Sequence, residues 1–76
     1  MKDNYEVLVD LRKELNSLVV KINNLNDLKY GNTFEYLKLG EKMCSLLDIQ
    51  ENIMKSYREV LIARILLLES KEYGNN

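Results

Sequence analysis

The chain has 76 residues, eleven of them basic and twelve acidic, for a formal net charge of −1. A single domain of this size buries only about 60% of the surface its unfolded form exposes, and its evenly spread charge has no basic stripe to neutralise phosphates, which excludes duplex nucleic-acid binding. One cysteine and no histidine exclude an internal disulfide and a usual zinc site, so no metal or other cofactor is expected and oligomerisation is the expected stabiliser.

The opening residues, Met1-Lys2-Asp3-Asn4-Tyr5-Glu6, have no apolar signal core. From about 3 to 29, Leu8, Leu11, Leu15, Leu18, Ile22 and Leu25 alternate spacings of three and four. Six such matches predict an amphipathic helix of coiled-coil character. A turn is predicted over 30–33, where Gly31 can take a positive φ and Asn32 or Thr33 can cap the next helix. A short helix is predicted over 34–39. Gly40 is then a hinge or N-cap, because glycine within a helix costs about 1 kcal/mol relative to alanine. A long helix is predicted over 41–71, and 72–76 form a polar tail. At about 1.5 Å per residue the two long helices measure roughly 40 and 46 Å, matched for an antiparallel hairpin. The fold class is therefore all-α, with residues 1–76 as a single helical domain.

The long helix has more apolar surface than one hairpin can cover. With Met43, Gln50, Tyr57 and Arg64 as heptad position a, the d and e positions are Leu46 and Leu47, Ile53 and Met54, Val60 and Leu61, and Leu67 and Leu68. Ile62, Ile65 and Leu66 add apolar groups on the remaining faces, and Val9, Val19 and Val20 lie outside the first helix's seam. A helix that is apolar all round is expected to be buried all round. Copies of the chain are thus expected to associate into a homo-oligomeric helical bundle. The most apolar window, Val60 to Leu68, is interrupted by Arg64 and too short to span a bilayer, so a location in the cytoplasm, away from membranes, is expected.

Gln50, Tyr57 and Arg64 form a polar column along that stripe, drifting only about 20° per heptad, and Lys71 continues the line. Two readings compete. Buried polar residues at a positions fix register and partner orientation. Alternatively, arginine offers a fork of donors for phosphate, tyrosine a ring to stack on a base, and glutamine a bond to a base edge. Catalysis has little equipment. Glu35, Glu41, Asp48, Glu51 and Glu59 read as a solvated face, with Glu51–Lys55 a stabilising i,i+4 pair. No phosphate loop or nucleophile elbow occurs. Cys44 reads as a small reduced hydrophobe, since no imidazole is present to activate it. The run Leu11-Arg12-Lys13-Glu14-Leu15 resembles the start of a helical chorismate mutase, but that family's other basic pocket residues do not follow. The chain is therefore expected not to be an enzyme.

From Leu39 onward, Leu39, Leu46, Leu47, Gln50, Met54, Tyr57, Leu61, Arg64 and Ile65 resemble the pattern of a family of small helical proteins encoded by phages, including crAss-like phages. The chain departs from the pattern at Gly40, where the family has a capping serine, and at Met43, where an acid is common. The resemblance implies a phage origin. It also implies one of two roles: a host-defence antagonist that sequesters a cyclic-nucleotide or ADP-ribose-type immune signal, or a non-catalytic scaffold or protein–protein interaction module. The first would use Gln50, Tyr57, Arg64 and Lys71 as ligand contacts between subunits; in the second the column only sets register.

Overall fold

The structure is a computed structural model that describes residues 3–73, the side chains of 71–73 excepted. Its elements are α1 (Asn4–Asn26), a π-helical turn (Asp27–Gly31), α2 (Thr33–Leu37) and α3 (Glu41–Tyr73). Asp3 caps α1 by accepting a 2.8 Å hydrogen bond from the Glu6 amide, which satisfies one of the orphan donors at a helix start. The helix ends three residues before the sequence places its end. Asp27–Gly31 continue it as a wider π turn, a geometry that recurs where a helix must shift its face.

The joint is built differently from its sequence-level expectation in two details. Gly31 does not take a positive φ; Gly40 does, at 93°. Asn32 precedes α2 without a side-chain capping bond, and the Thr33 hydroxyl instead donates to the Lys29 carbonyl at 2.7 Å. Gly40 is the true reversal point. Its amide donates to the Leu37 carbonyl, and its own carbonyl accepts from the Cys44 amide at 3.0 Å to open α3. Only glycine adopts that left-handed conformation without steric cost.

α1 and α3 pack antiparallel along one seam. From α1 the buried residues are Leu8, Leu11, Leu18, Ile22 and Leu25, with Leu15 partly covered, the row that the alternating spacing marks. From α3 they are Met54, Leu61 and Ile65, flanked by Leu47 and Leu68. Leu61 is fully enclosed. Burying a leucine contributes about 1.5–3 kcal/mol, and among the described residues this row of layers is the core between α1 and α3. The architecture is an all-helical pair with a short helical joint and no strand among the described residues.

Candidate functional site

The seam residues of α3 fix where the polar column lies. Leu47, Glu51, Met54, Arg58, Leu61, Ile65 and Leu68 turn towards α1, each buried or half-buried. Each has a neighbour one position earlier: Leu46, Gln50, Ile53, Tyr57, Val60, Arg64 and Leu67. One residue is about 100° of rotation in a helix, so this second row lies a quarter-turn round from the core and faces out. All seven of its members are exposed. In the single chain the polar column therefore lies outside the hairpin core. The e row makes the hairpin core, while the a and d rows remain outside it, because one α1 helix covers only one stripe.

Gln50, Tyr57 and Arg64 share this outward face, spread over about 21 Å at 1.5 Å per residue. Arg64 is exposed and has no ion-pair partner among the described residues. Arg12 and Arg58, by contrast, contact Glu69 and Glu59. The Tyr57 hydroxyl bends back to donate to Glu14 on α1, tying the middle of the column to the hairpin. Lys71 lies in the helical backbone of α3, its side chain outside the described residues. Around these groups the face is apolar: Met43, Leu46, Ile53, Val60 and Leu67 are between 47% and 63% exposed. A shallow depression lined by Glu41, Lys42, Ser45 and Leu46 lies towards the N-terminal end of α3.

A second polar group, which helical spacing alone assigns to a solvated face, lies at the joint. Lys29 Nζ stands 2.6 Å from Glu51 and 2.7 Å from Asp48. Lys55 reaches the other Glu51 oxygen at 3.2 Å, the expected i,i+4 pair. Glu51 is nevertheless buried, at 5% exposure. The Tyr36 hydroxyl lies 2.9 Å from Asp48 and 3.0 Å from the Cys44 carbonyl, and the Cys44 thiol contacts the Tyr36 carbonyl at 3.3 Å. The Lys29 ammonium holds both the Asp48 and Glu51 carboxyls below their ordinary range, with Tyr36 assisting at Asp48 and Lys55 at Glu51. Bonds to those two carboxylates raise the Lys29 pKa. Burial, then the Asp48 bond, pushes the Tyr36 phenol up to about 12. Every charge in this cluster is matched, so it locks the π turn, α2 and α3 together. The sequence signal that could have found it is the placement of Lys29 just beyond the last α1 seam residue, where an antiparallel return brings Asp48 and Glu51 alongside.

No group of three or more metal-ligating side chains occurs among the described residues, and no helix among them is long and apolar enough to cross a membrane. Comparison with known proteins matches residues 5–67 to a family described as Sequestin. No curated protein and no solved structure matches the chain.

Proposed function

The chain belongs to the Sequestin family, and from that premise we propose that it is a non-catalytic binding protein that sequesters a nucleotide signal on the outward face of α3. The family's name denotes sequestration, and a protein that sequesters needs a surface rather than a set of reacting groups. The observation that carries the reading is Arg64. It is an exposed guanidinium in the middle of an apolar stripe, with no carboxylate partner among the described residues. Association of copies over that stripe would desolvate it, and an unpaired desolvated arginine is costly unless an anion joins it. A phosphate supplies that anion in bidentate geometry. The exposed Tyr57 ring and the Gln50 amide offer stacking and edge contacts for an attached base. The resemblance of residues 39–65 to phage-encoded helical proteins supports a role as an antagonist of nucleotide-based host defence.

The test is thermal melting of the wild type and of Arg64→Met with cyclic di- and trinucleotides, cyclic ADP-ribose isomers and mononucleotides. A bound nucleotide raises the wild-type midpoint in proportion to the logarithm of its concentration and leaves Arg64→Met unmoved. A wild-type melt that none of these compounds shifts rejects the nucleotide reading.

A second reading draws on the contact between Tyr57 and Glu14. A hydroxyl already engaged with α1 suits a column that orients helices, as in a scaffold or interaction module whose polar residues only set register. In that case Arg64→Met raises the melting temperature and alters oligomer state, with no ligand response to lose.

A further inference from the structure

We propose that two copies pair α3 against α3 in antiparallel orientation, so that Arg64 and Tyr57 of one copy and Gln50 of the other converge on one composite site; the site's ligand rests on the nucleotide reading above. The outward face is itself a heptad seam. Met43, Leu46, Ile53, Val60 and Leu67 alternate with Gln50, Tyr57 and Arg64 at spacings of three and four, from one end of α3 towards the other. A second helix with the same spacing is the surface that interlocks with such a row, knobs into holes. No other element among the described residues covers it, and the same row on another copy has the matching length.

Orientation follows from charge. A parallel pairing stacks each position on itself, so Arg64 would meet Arg64 of the other copy at the centre of a layer, a like-charge juxtaposition that opposes association. Antiparallel pairing sets each a residue opposite a d residue and separates the two guanidiniums. The register that covers the whole row places Met43 opposite Leu67, Leu46 opposite Arg64, Gln50 opposite Val60 and Ile53 opposite Tyr57. A slip of one heptad either way leaves two of the eight positions on each helix without a partner layer. On one flank the facing residues are Ile49, Ser56 and Ala63, mostly small, with Ser56 near its own mate at the two-fold axis. Small flanking residues allow the helices to approach closely.

The consequence is a change in the site itself. Within one chain Gln50 and Arg64 are about 21 Å apart along the helix. In the antiparallel seam the layer of Arg64 adjoins the layer holding Gln50 of the other copy, about 6 Å away along the axis. Tyr57 of the first copy occupies the layer after that. A column too extended to grip one small ligand becomes two equivalent compact sites per dimer, each incomplete without the partner copy.

The test is electron–electron distance measurement on the full chain carrying Cys44→Ala and a spin label at one introduced cysteine, Lys42→Cys or Asn52→Cys. Both native side chains are exposed. Antiparallel pairing in this register gives roughly 40 Å between labels at 42 and less than about 30 Å between labels at 52. Short distances at both positions mean parallel pairing and overturn the proposal, as does a wild type that scatters light as a 9.0 kDa monomer. Unlabelled Ile53→Asp should dissociate the dimer and keep the helical signal, because Ile53 is outside the hairpin core; a dimer that survives it uses another surface and also overturns the proposal. An antiparallel dimer that responds to no nucleotide rejects the ligand reading and retains the pairing. Nucleotide binding by a monomer does the reverse.

Discussion

Lys29, near the end of the first helical run, and Glu51, ten residues into α3, meet at 2.6 Å, and Glu51 is the buried charged residue of the described chain. The pair closes the hairpin on the side of the joint, and its two charges have unequal support. Lys29 keeps Asp48 if Glu51 is removed, whereas Glu51 keeps only the more exposed Lys55 if Lys29 is removed.

Lys29→Met should therefore destabilise the protein more than Glu51→Gln, because it strands a buried carboxylate. The double substitution Lys29→Met with Glu51→Leu should recover part of the loss, since matched apolar groups remove the desolvation penalty along with the pair. Circular-dichroism melts of the wild type, Lys29→Met, Glu51→Leu and the double variant form a double-mutant cycle. Equal and additive losses would show that the pair is not coupled.

The same cluster sets the pH limits of stability. Asp48 and Glu51 have folded pKa values depressed below 3.8 and 4.5. Their contribution is complete above those values and lost as pH falls through the folded ones. Lys29 and Tyr36 have folded values raised from 10.5 and 10.0. Their contribution is complete below the unfolded values and declines as pH rises, through about 12 for Tyr36. The melting midpoint should be flat between about pH 5 and 9.5 and fall on both sides. Tyr36→Phe should blunt the alkaline fall, as measured by melts across that range.

Leu61 and Ile53 separate the two stripes of α3. Leu61→Ala should cost about 2–5 kcal/mol in denaturant unfolding, because Leu61 is fully enclosed in the hairpin. Ile53→Ala changes a side chain 63% exposed in the single chain. Its effect should be small in dilute protein and grow with protein concentration, in step with association. A large, concentration-independent loss for Ile53→Ala would place it in the hairpin core instead.

Gly40 and Gly31 should respond in opposite directions to alanine. Neither site would bring an added methyl within 4 Å of another atom, so backbone conformation alone decides. Gly40→Ala forces a φ of 93° on an L side chain and should cost about 1–2 kcal/mol. Gly31→Ala, at a helical position without positive φ, should be neutral or stabilise by up to about 1 kcal/mol. Chemical denaturation of the two variants decides it.

If the outward face binds a nucleotide, Arg64→Met should weaken it roughly ten- to a hundredfold through loss of a charge-assisted contact. Tyr57→Phe should bind nearly as well as the wild type, since its hydroxyl serves Glu14 and the ring is retained. Titration calorimetry with whichever nucleotide shifts the wild-type melt measures both. Loss of binding in Tyr57→Phe would mean that the phenol itself touches the ligand.

Periodicity by itself determined the helices. The alternating leucines of α1 identify its buried face, since a repeat of three and four can be buried on one side only if the chain is helical. Gly40 marks the start of α3 because glycine is unfavourable inside a helix and favourable at a reversal. The long helix was harder to read, since its apolar arc runs across a, d and e together and spacing does not say which sector of it a single partner helix will cover. The tertiary structure decided that. The π turn over Asp27–Gly31 and the reversal at Gly40 set how α3 returns along α1, and that geometry turns Leu47, Met54, Leu61 and Leu68 inward. Gln50, Tyr57 and Arg64 are left facing out. Glu51 was hidden for the same reason: its i,i+4 spacing to Lys55 is that of a surface pair, and its burial comes from Lys29, twenty-two residues away in sequence. Local spacing fixes the faces of a helix, and the packing of distant segments fixes which face is covered.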